Sequence, residues 1–173
     1  DLRHFTVRDY GNRVGVFRIL EELKTAGVKA TFAVNCEIAK RYPPLVEIIK
    51  NAGHEIATHG LSTDHIHHEG LSENEETDSI NDSLQAFDIP KGWLSPARNQ
   101  SSRTPELLAK AGLAYHLDWE MDQVPVKMTT PRGDITAIPN SYELSDFTLL
   151  HTRRQTEQSW LKQITDSVDL LIS

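Results

Sequence analysis

The sequence predicts an α/β domain on a mainly parallel sheet, open or barrel-like. Three observations predict it. Amphipathic stretches end three times in Ala-Gly and run at once into a β-type segment: Thr25-Ala26-Gly27-Val28, Asn51-Ala52-Gly53-His54 and Lys110-Ala111-Gly112-Leu113. Glycine just past a helix supplies the left-handed residue that closes its last turn. A strand directly afterwards is the αβ half of a β/α alternation. The second observation is that the expected strands are short and helix-flanked, as buried parallel strands are. The third is size: 173 residues, 38% apolar and 25% charged, make one ordered domain over 1–173 with a sizeable core. The uneven spacing of the Ala-Gly junctions argues against a solenoid of identical units.

Each element has its own warrant. Val16, Ile19, Leu20 and Leu23 fall at i, i+3, i+4 and i+7, one apolar helix face. Residues 29–34 then read as a strand. Pro43-Pro44 opens a helix carrying Leu45, Ile48 and Ile49. Glu55–Thr58 is the next strand. Ser72 with Glu75 forms a capping box ahead of Ile80, Leu84 and Phe87. Residues 92–95 make a third strand. Thr104-Pro105 is an N-cap followed by proline at the first helical position, before Leu107, Leu108 and Ala111. Residues 114–118 and 147–151 are further strands. Residues 135–138 form a strand or hairpin arm in a Pro/Gly-punctuated insert. A last helix runs from about Thr156 with Leu161, Ile164, Val168 and Leu171 inward.

Composition narrows the function. Eighteen basic against 25 acidic residues leave a net charge of −7, with no basic stripe, so nucleic acid is excluded as a partner. A single cysteine, Cys36, excludes a disulfide scaffold and a Cys-rich zinc or iron–sulfur site. Without an assignable partner base it reads as a small buried residue rather than a nucleophile. No apolar run approaches the roughly 18 residues of a membrane span. The chain opens at Asp1 without methionine and reads as a fragment. G-x-S-x-G, P-loop and G-x-G-x-x-G motifs are absent, which removes the motif basis for serine hydrolase, nucleotidase and dinucleotide readings.

In α/β sheets chemistry collects at the C-terminal strand ends. Here those ends carry Asn35 and Cys36, then His59, then Ser95, Pro96 and Arg98, then Asp118, Trp119 and Asp122, then His151. His59-Gly60 places an imidazole at the sheet mouth, and imidazole serves as metal ligand or general base. Asp64, His65, His67 and His68 follow at once. His65 stays open between ligand and loop, His67 and His68 read as exposed loop, and His54 as structural. Trp93 is core or the wall of a pocket. Arg98 reads as an exposed loop arginine, with anion neutralisation as the alternative. Asp118, Glu120 and Asp122 cluster around Trp119 and offer a base, a ligand or an amide acceptor; Glu120 reads as solvated, and Asp122 stays open.

The ordered set Arg8-Asp9-Tyr10-Gly11-Asn12-Arg13, Val28-Lys29-Ala30-Thr31-Phe32, Gly53-His54-Glu55-Ile56 through His59-Gly60, Leu71-Ser72-Glu73-Asn74-Glu75-Glu76, Gly92-Trp93-Leu94-Ser95-Pro96, Thr104-Pro105-Glu106-Leu107-Leu108, Asp118-Trp119 and Ile138-Pro139-Asn140-Ser141-Tyr142-Glu143-Leu144 resembles the polysaccharide deacetylase superfamily. The nearer branch holds metal-independent allantoinases and cyclic imidases. The resemblance implies a distorted (β/α) barrel and hydrolysis of a non-peptide C–N bond. It also shows departures. The family's opening Asp pair has no counterpart and would precede Asp1. The second metal histidine falls on Thr63, with His65 two residues on. Leu94 stands where the family has arginine. The late Leu-His strand would follow Ser173. The expected barrel is therefore incomplete, lacking first and last strands.

What the resemblance implies is a deacetylase or allantoinase-like amidohydrolase acting on an acetylated saccharide or small cyclic amide. The alternative is a catalytically inactive relative that binds a ligand or serves in assembly. His59 and Asp122 are the expected catalytic residues, with Asp122 accepting a substrate N–H. Trp93, Asp118 and Trp119 are expected to bind substrate, the tryptophans as walls of a small cavity. No cofactor is expected; the alternative is one divalent ion, zinc, on His59 and His65. A cytoplasmic homo-oligomer without nucleic-acid or membrane partners completes the expectation.

Overall fold

The computed structural model describes residues 9–88 and 90–172. Arg8, the first residue of the resemblance, lies outside them. A wide turn, Gly11–Gly15, runs into α1 (Val16–Ala26), which closes on Gly27 in the left-handed region. Strand β1 (Thr31–Val34) leads to α2 (Cys36–Arg41) and α3 (Pro43–Asn51), the latter with proline at its start. Then come β2 (Glu55–Thr58), α4 (Glu73–Leu84), β3 (Gly92–Trp93), α5 (Thr104–Lys110) and β4 (Tyr115–His116). A hairpin follows, β5 (Val126–Thr130) and β6 (Gly133–Ala137), and the chain ends in α6 (Glu157–Ile172). The capping box at α4 is present: the Glu75 amide donates to Ser72 Oγ, and the Ser72 amide to Glu75 Oε2.

The six strands form one sheet in the order β1-β2-β3-β4-β6-β5. All pairs are parallel except the β5–β6 hairpin. The sheet is open, with β1 and β5 as edges, as expected for an incomplete barrel. Partners across a ladder point to the same face. The register links Val34, Thr58, Trp93, His116 and Ala137 in one row, and all five are buried. The helices cover that face. Leu20, Ala39, Leu45, Val46 and Ile49 pack on Val34 and Ile56. Ile80, Leu107, Leu108 and Leu113 pack on Trp93 and Ile135. Fully burying one such side chain is worth about 1.5–3 kcal/mol. On the opposite face the Tyr115 ring lies across Gly92, where a Cβ would sit 2.2 Å from it. No helix among the described residues is long and apolar enough to cross a membrane.

Three expectations need correction. Residues 147–151 are helical, in the wide-turned segment Phe147–Thr152, and the Asp146 carboxylate at its start accepts the Phe147 amide. Its apolar spacing had read as a strand, yet only Thr148 and Leu149 are buried. His151 is therefore not at a strand end; its ring lies 5.0 Å from that of Phe147. Thr104 is not an N-cap but the first residue of α5, and its hydroxyl donates to Glu76. Finally, α6 buries none of its residues: Leu161, Val168 and Leu171 are exposed.

Candidate functional site

The site forms where β2, β3 and β4 end. Two loops meet there because of Gly60, which has φ 68° and lies so close to the Pro96 ring that a Cβ would stand 2.5 Å from it. His59, the residue after β2, directs Nδ1 to the Leu94 carbonyl at 2.7 Å. A carbonyl only accepts, so Nδ1 carries the proton and Nε2 is left with its lone pair. The next residue, Ser95, grips Asp118. Its amide donates to Oδ1 at 2.7 Å and its hydroxyl to Oδ2 at 2.8 Å. The Leu94-Ser95 dipeptide thus holds His59 on one side and Asp118 on the other.

Burial pushes the Asp118 carboxyl up, while the two Ser95 bonds and the pull of His59 and His67 bring it down. Beside it His116 has no exposed surface; burial alone lowers its pKa to about 4, so it is neutral near pH 7. Its Nδ1 is 3.9 Å from Asp118 Oδ2, too long for a hydrogen bond.

An open pocket of about 690 Å³ lies against Asp118, walled by Ala97, Arg98, Glu120, Tyr142 and Phe147. Ala97 and Arg98 both have positive φ, 54° and 55°, a strained pair at the sheet mouth. Arg98 is held on three sides. It pairs with Glu120, donates to the Asn140 carbonyl at 2.9 Å and lies over the Tyr142 ring at 5.0 Å. Glu120 also accepts the Tyr142 amide at 2.6 Å. The second large hollow, about 590 Å³ and walled by Leu20, Val28, Lys29 and His54 among others, sits at the opposite ends of β1 and β2.

The expected site residues fall in different places. His59, Asp118 and Trp119 converge on this end of the sheet, with Trp119 part-exposed and edge-on to His116 at 5.8 Å. Trp93 does not wall a cavity. It has no exposed surface, and its Nε1 donates to Ser95 Oγ at 2.8 Å. Its alternation on the strand turns it to the helix-covered face. Asp122 is exposed, and its Oδ1 accepts the amide of its neighbour Gln123. His65 is also exposed, its Nδ1 paired with Ser62 Oγ at 2.6 Å. His67, expected in an exposed loop, is 1% exposed. It faces Glu76 at 3.3 Å and stands edge-on to Trp93. Glu120, Tyr142 and Phe147 were missed as pocket walls, because they come from three loops that only the fold brings together.

A metal centre does not fit these residues. Among the described residues no three His, Cys, Asp or Glu side chains converge in a way that could hold an ion. The position of a second metal histidine is Thr63, which offers no imidazole.

Comparison with known proteins gives the family and the fold. The family model of the polysaccharide deacetylases matches residues 6–116. No curated protein sequence matches the chain. Among solved structures the chain is similar to PuuE allantoinase, with 24% identity and a TM-score of 0.82 over 99% of this chain and 58% of that one. It is similar to a Mycobacterium smegmatis protein assigned to the polysaccharide deacetylases, with 30% identity and a TM-score of 0.74 over 80% of this chain and 50% of that one. A Pseudomonas aeruginosa PAO1 protein with the same assignment gives 22% identity and a TM-score of 0.82, over 99% and 59%. The chain thus spans between half and three-fifths of the length of these structures. The matched segment takes in more than half of the residues and contains β1 through β4 with His59, Trp93 and Ser95, and on that ground the chain belongs to the polysaccharide deacetylase family.

Proposed function

We propose that the protein hydrolyses a carbon–nitrogen bond other than a peptide bond, in an acetylated saccharide or a small cyclic amide, without a metal. Family membership supports the reaction class. The observation that carries the mechanism is the His59 tautomer. With Nδ1 pinned on the Leu94 carbonyl, Nε2 is the free basic nitrogen at the sheet mouth. It takes a proton from water as the water oxygen bonds to the amide carbon. The same proton then goes to the departing nitrogen as the C–N bond breaks. Asp118, with its side chain buried and fixed at both oxygens, anchors the Ser95 end of the dipeptide whose Leu94 carbonyl holds His59. Arg98 brings positive charge to the pocket wall, where the oxyanion develops. Tyr142 and Phe147 are the aromatic walls that would flank a flat ring, with the part-exposed Trp119 at the same end of the sheet.

The test is release of acetate from N-acetylated sugars, and ring opening of cyclic ureides, by the full-length protein that carries this chain. Turnover should survive a chelator and fall on the order of 10²–10⁴-fold in His59→Gln. Loss of turnover with chelator and recovery with zinc would overturn the metal-free route. A folded full-length protein that turns over neither substrate class would instead be an inactive binding or assembly module.

A further inference from the structure

We propose that the buried Glu76–His67 pair is a positioning device for Asp118, acting through Trp93 and Ser95. The inference rests on the reading of Asp118 as part of an amide-hydrolysing site.

The contacts form one continuous chain. Glu76, on α4, has no exposed surface. Its carboxylate accepts from Ser101 Oγ at 2.6 Å, from Thr104 Oγ1, and from His67 Nδ1 at 3.3 Å. Arg103 Nη2 stands 3.5 Å away. Burial acts to raise the Glu76 pKa, but the bonds from His67, Ser101 and Thr104 outweigh it and bring the group to about 2. The carboxylate is therefore ionised, and it holds the imidazole. The His67 ring meets Trp93 edge-on, 5.5 Å between centroids and 85° between planes. Trp93 Nε1 donates to Ser95 Oγ at 2.8 Å, and Ser95 Oγ donates to Asp118 Oδ2 at 2.8 Å. Each link fixes the direction of the next. The indole N–H occupies one lone pair of the Ser95 oxygen, which turns the hydroxyl proton toward Asp118.

Stability alone is a poor account of this arrangement. A buried ionised carboxylate costs more in desolvation than an apolar replacement of equal volume. His67 adds to that cost, because its buried Nε2 has no hydrogen-bond partner among the described residues. What the pair provides is a fixed ring against Trp93, at the root of the only described hydroxyl that reaches Asp118.

The test follows the Trp93 indole N–H by NMR in the full-length protein, with the signal assigned by its loss in Trp93→Phe, together with steady-state kinetics. Glu76→Gln and His67→Phe should both shift this signal and speed its hydrogen exchange by about tenfold or more, while the Trp119 and Trp160 signals stay in place. Both should lower kcat on the order of 10–100-fold with KM changed by less than about twofold. Ser101→Ala removes one donor from Glu76 without touching His67, and should leave the Trp93 signal and kcat in place. Folded Glu76→Gln with unchanged signal and kcat overturns the proposal, as does a Ser101→Ala effect equal to that of His67→Phe. If Glu76→Gln does not fold, His67→Phe decides; if neither folds, the pair is a folding element and the proposal falls. Wild-type protein that turns over no amide, while the Trp93 signal still responds as expected, upholds the positioning chain and overturns the hydrolase reading instead.

Discussion

The two halves of the helix-covered sheet face are built differently. Over β1 and β2 the core is Leu20, Val34, Leu45, Val46, Ile49 and Ile56, with apolar contacts throughout. Over β3 and β4 the core again has leucines and isoleucines, but polar groups run through it: His67, Glu76, Ser95, Thr104 and His116 are all buried. The first half is cheap to assemble, because its core cluster is made of aliphatic side chains. The second must desolvate hydroxyls, imidazoles and a carboxylate, and it is the half that carries Asp118 and the Leu94 carbonyl that fixes His59. Buried polar networks specify geometry more narrowly than apolar contacts do. Position, rather than stability, is what this half supplies.

The sharpest way to break the comparison is to remove one partner from each core. Glu76→Ala leaves the donors of Ser101, Thr104 and His67 without their acceptor, and should destabilise the fold by about 3–5 kcal/mol. Ile49→Ala opens a cavity in the other half and should cost about 2–5 kcal/mol. Denaturant unfolding at several pH values separates them. The Glu76 pKa is lowered, from 4.5 to about 2. Its stabilisation is therefore complete above pH 4.5 and disappears as pH falls toward 2. The effect of Glu76→Ala should shrink over that window, and that of Ile49→Ala should not.

His116 sharpens the same contrast. Its folded pKa is about 4 against 6.5. Below pH 6.5 the unfolded chain takes up a proton that the folded chain refuses, so stability falls until about pH 4 and is level below. His116→Leu should remove that part of the acid slope, as read from urea midpoints between pH 7 and 4. A smaller effect is expected from Ser95→Ala, which leaves the Trp93 indole and one Asp118 oxygen unpaired. It should cost about 1–3 kcal/mol and lower kcat more than it lowers stability. Ser72→Ala, which removes the α4 capping box far from Asp118, should cost about 0.5–2 kcal/mol and leave kcat alone.

Much of this frame was legible in the residues. The three Ala-Gly junctions marked where α1, α3 and α5 hand over to strands or strand-bound segments, and Ser72 with Glu75 marked the start of α4. His59 was visible because a strand ending in His-Gly has one direction to point. Residues 147–151 read as a strand because five residues of mixed apolar character fit either period. His67 was misread for another reason. Its partner Glu76 sits on α4 and its ring partner Trp93 on β3, so nothing local distinguishes it from exposed His68. The α6 face has the spacing of a buried stripe, but the segments Tyr142–Leu144 and Phe147–Thr152 that meet it leave every one of its residues short of full burial. Periodicity reports which face is apolar, and burial depends on what comes to meet it.

Asp122 gives the smallest expected effect and the most direct check on which strand-end carboxylates belong to the site. Sequence alone assigns catalysis to Asp122 and substrate binding to Asp118. The fold separates them: Asp118 is clasped by Ser95 at the end of β4, whereas Asp122 lies in solvent and bonds only to the next amide. Asp118→Asn keeps the shape but removes the charge that accepts both Ser95 donors, and should reduce turnover on the order of 10²-fold. Asp122→Asn should leave the melting temperature and kcat/KM at their wild-type values within error. A loss of tenfold or more in Asp122→Asn, about 1.4 kcal/mol of transition-state stabilisation, would mean that its loop folds over the pocket when substrate binds. The pocket would then have a wall on that side that the substrate-free chain does not show.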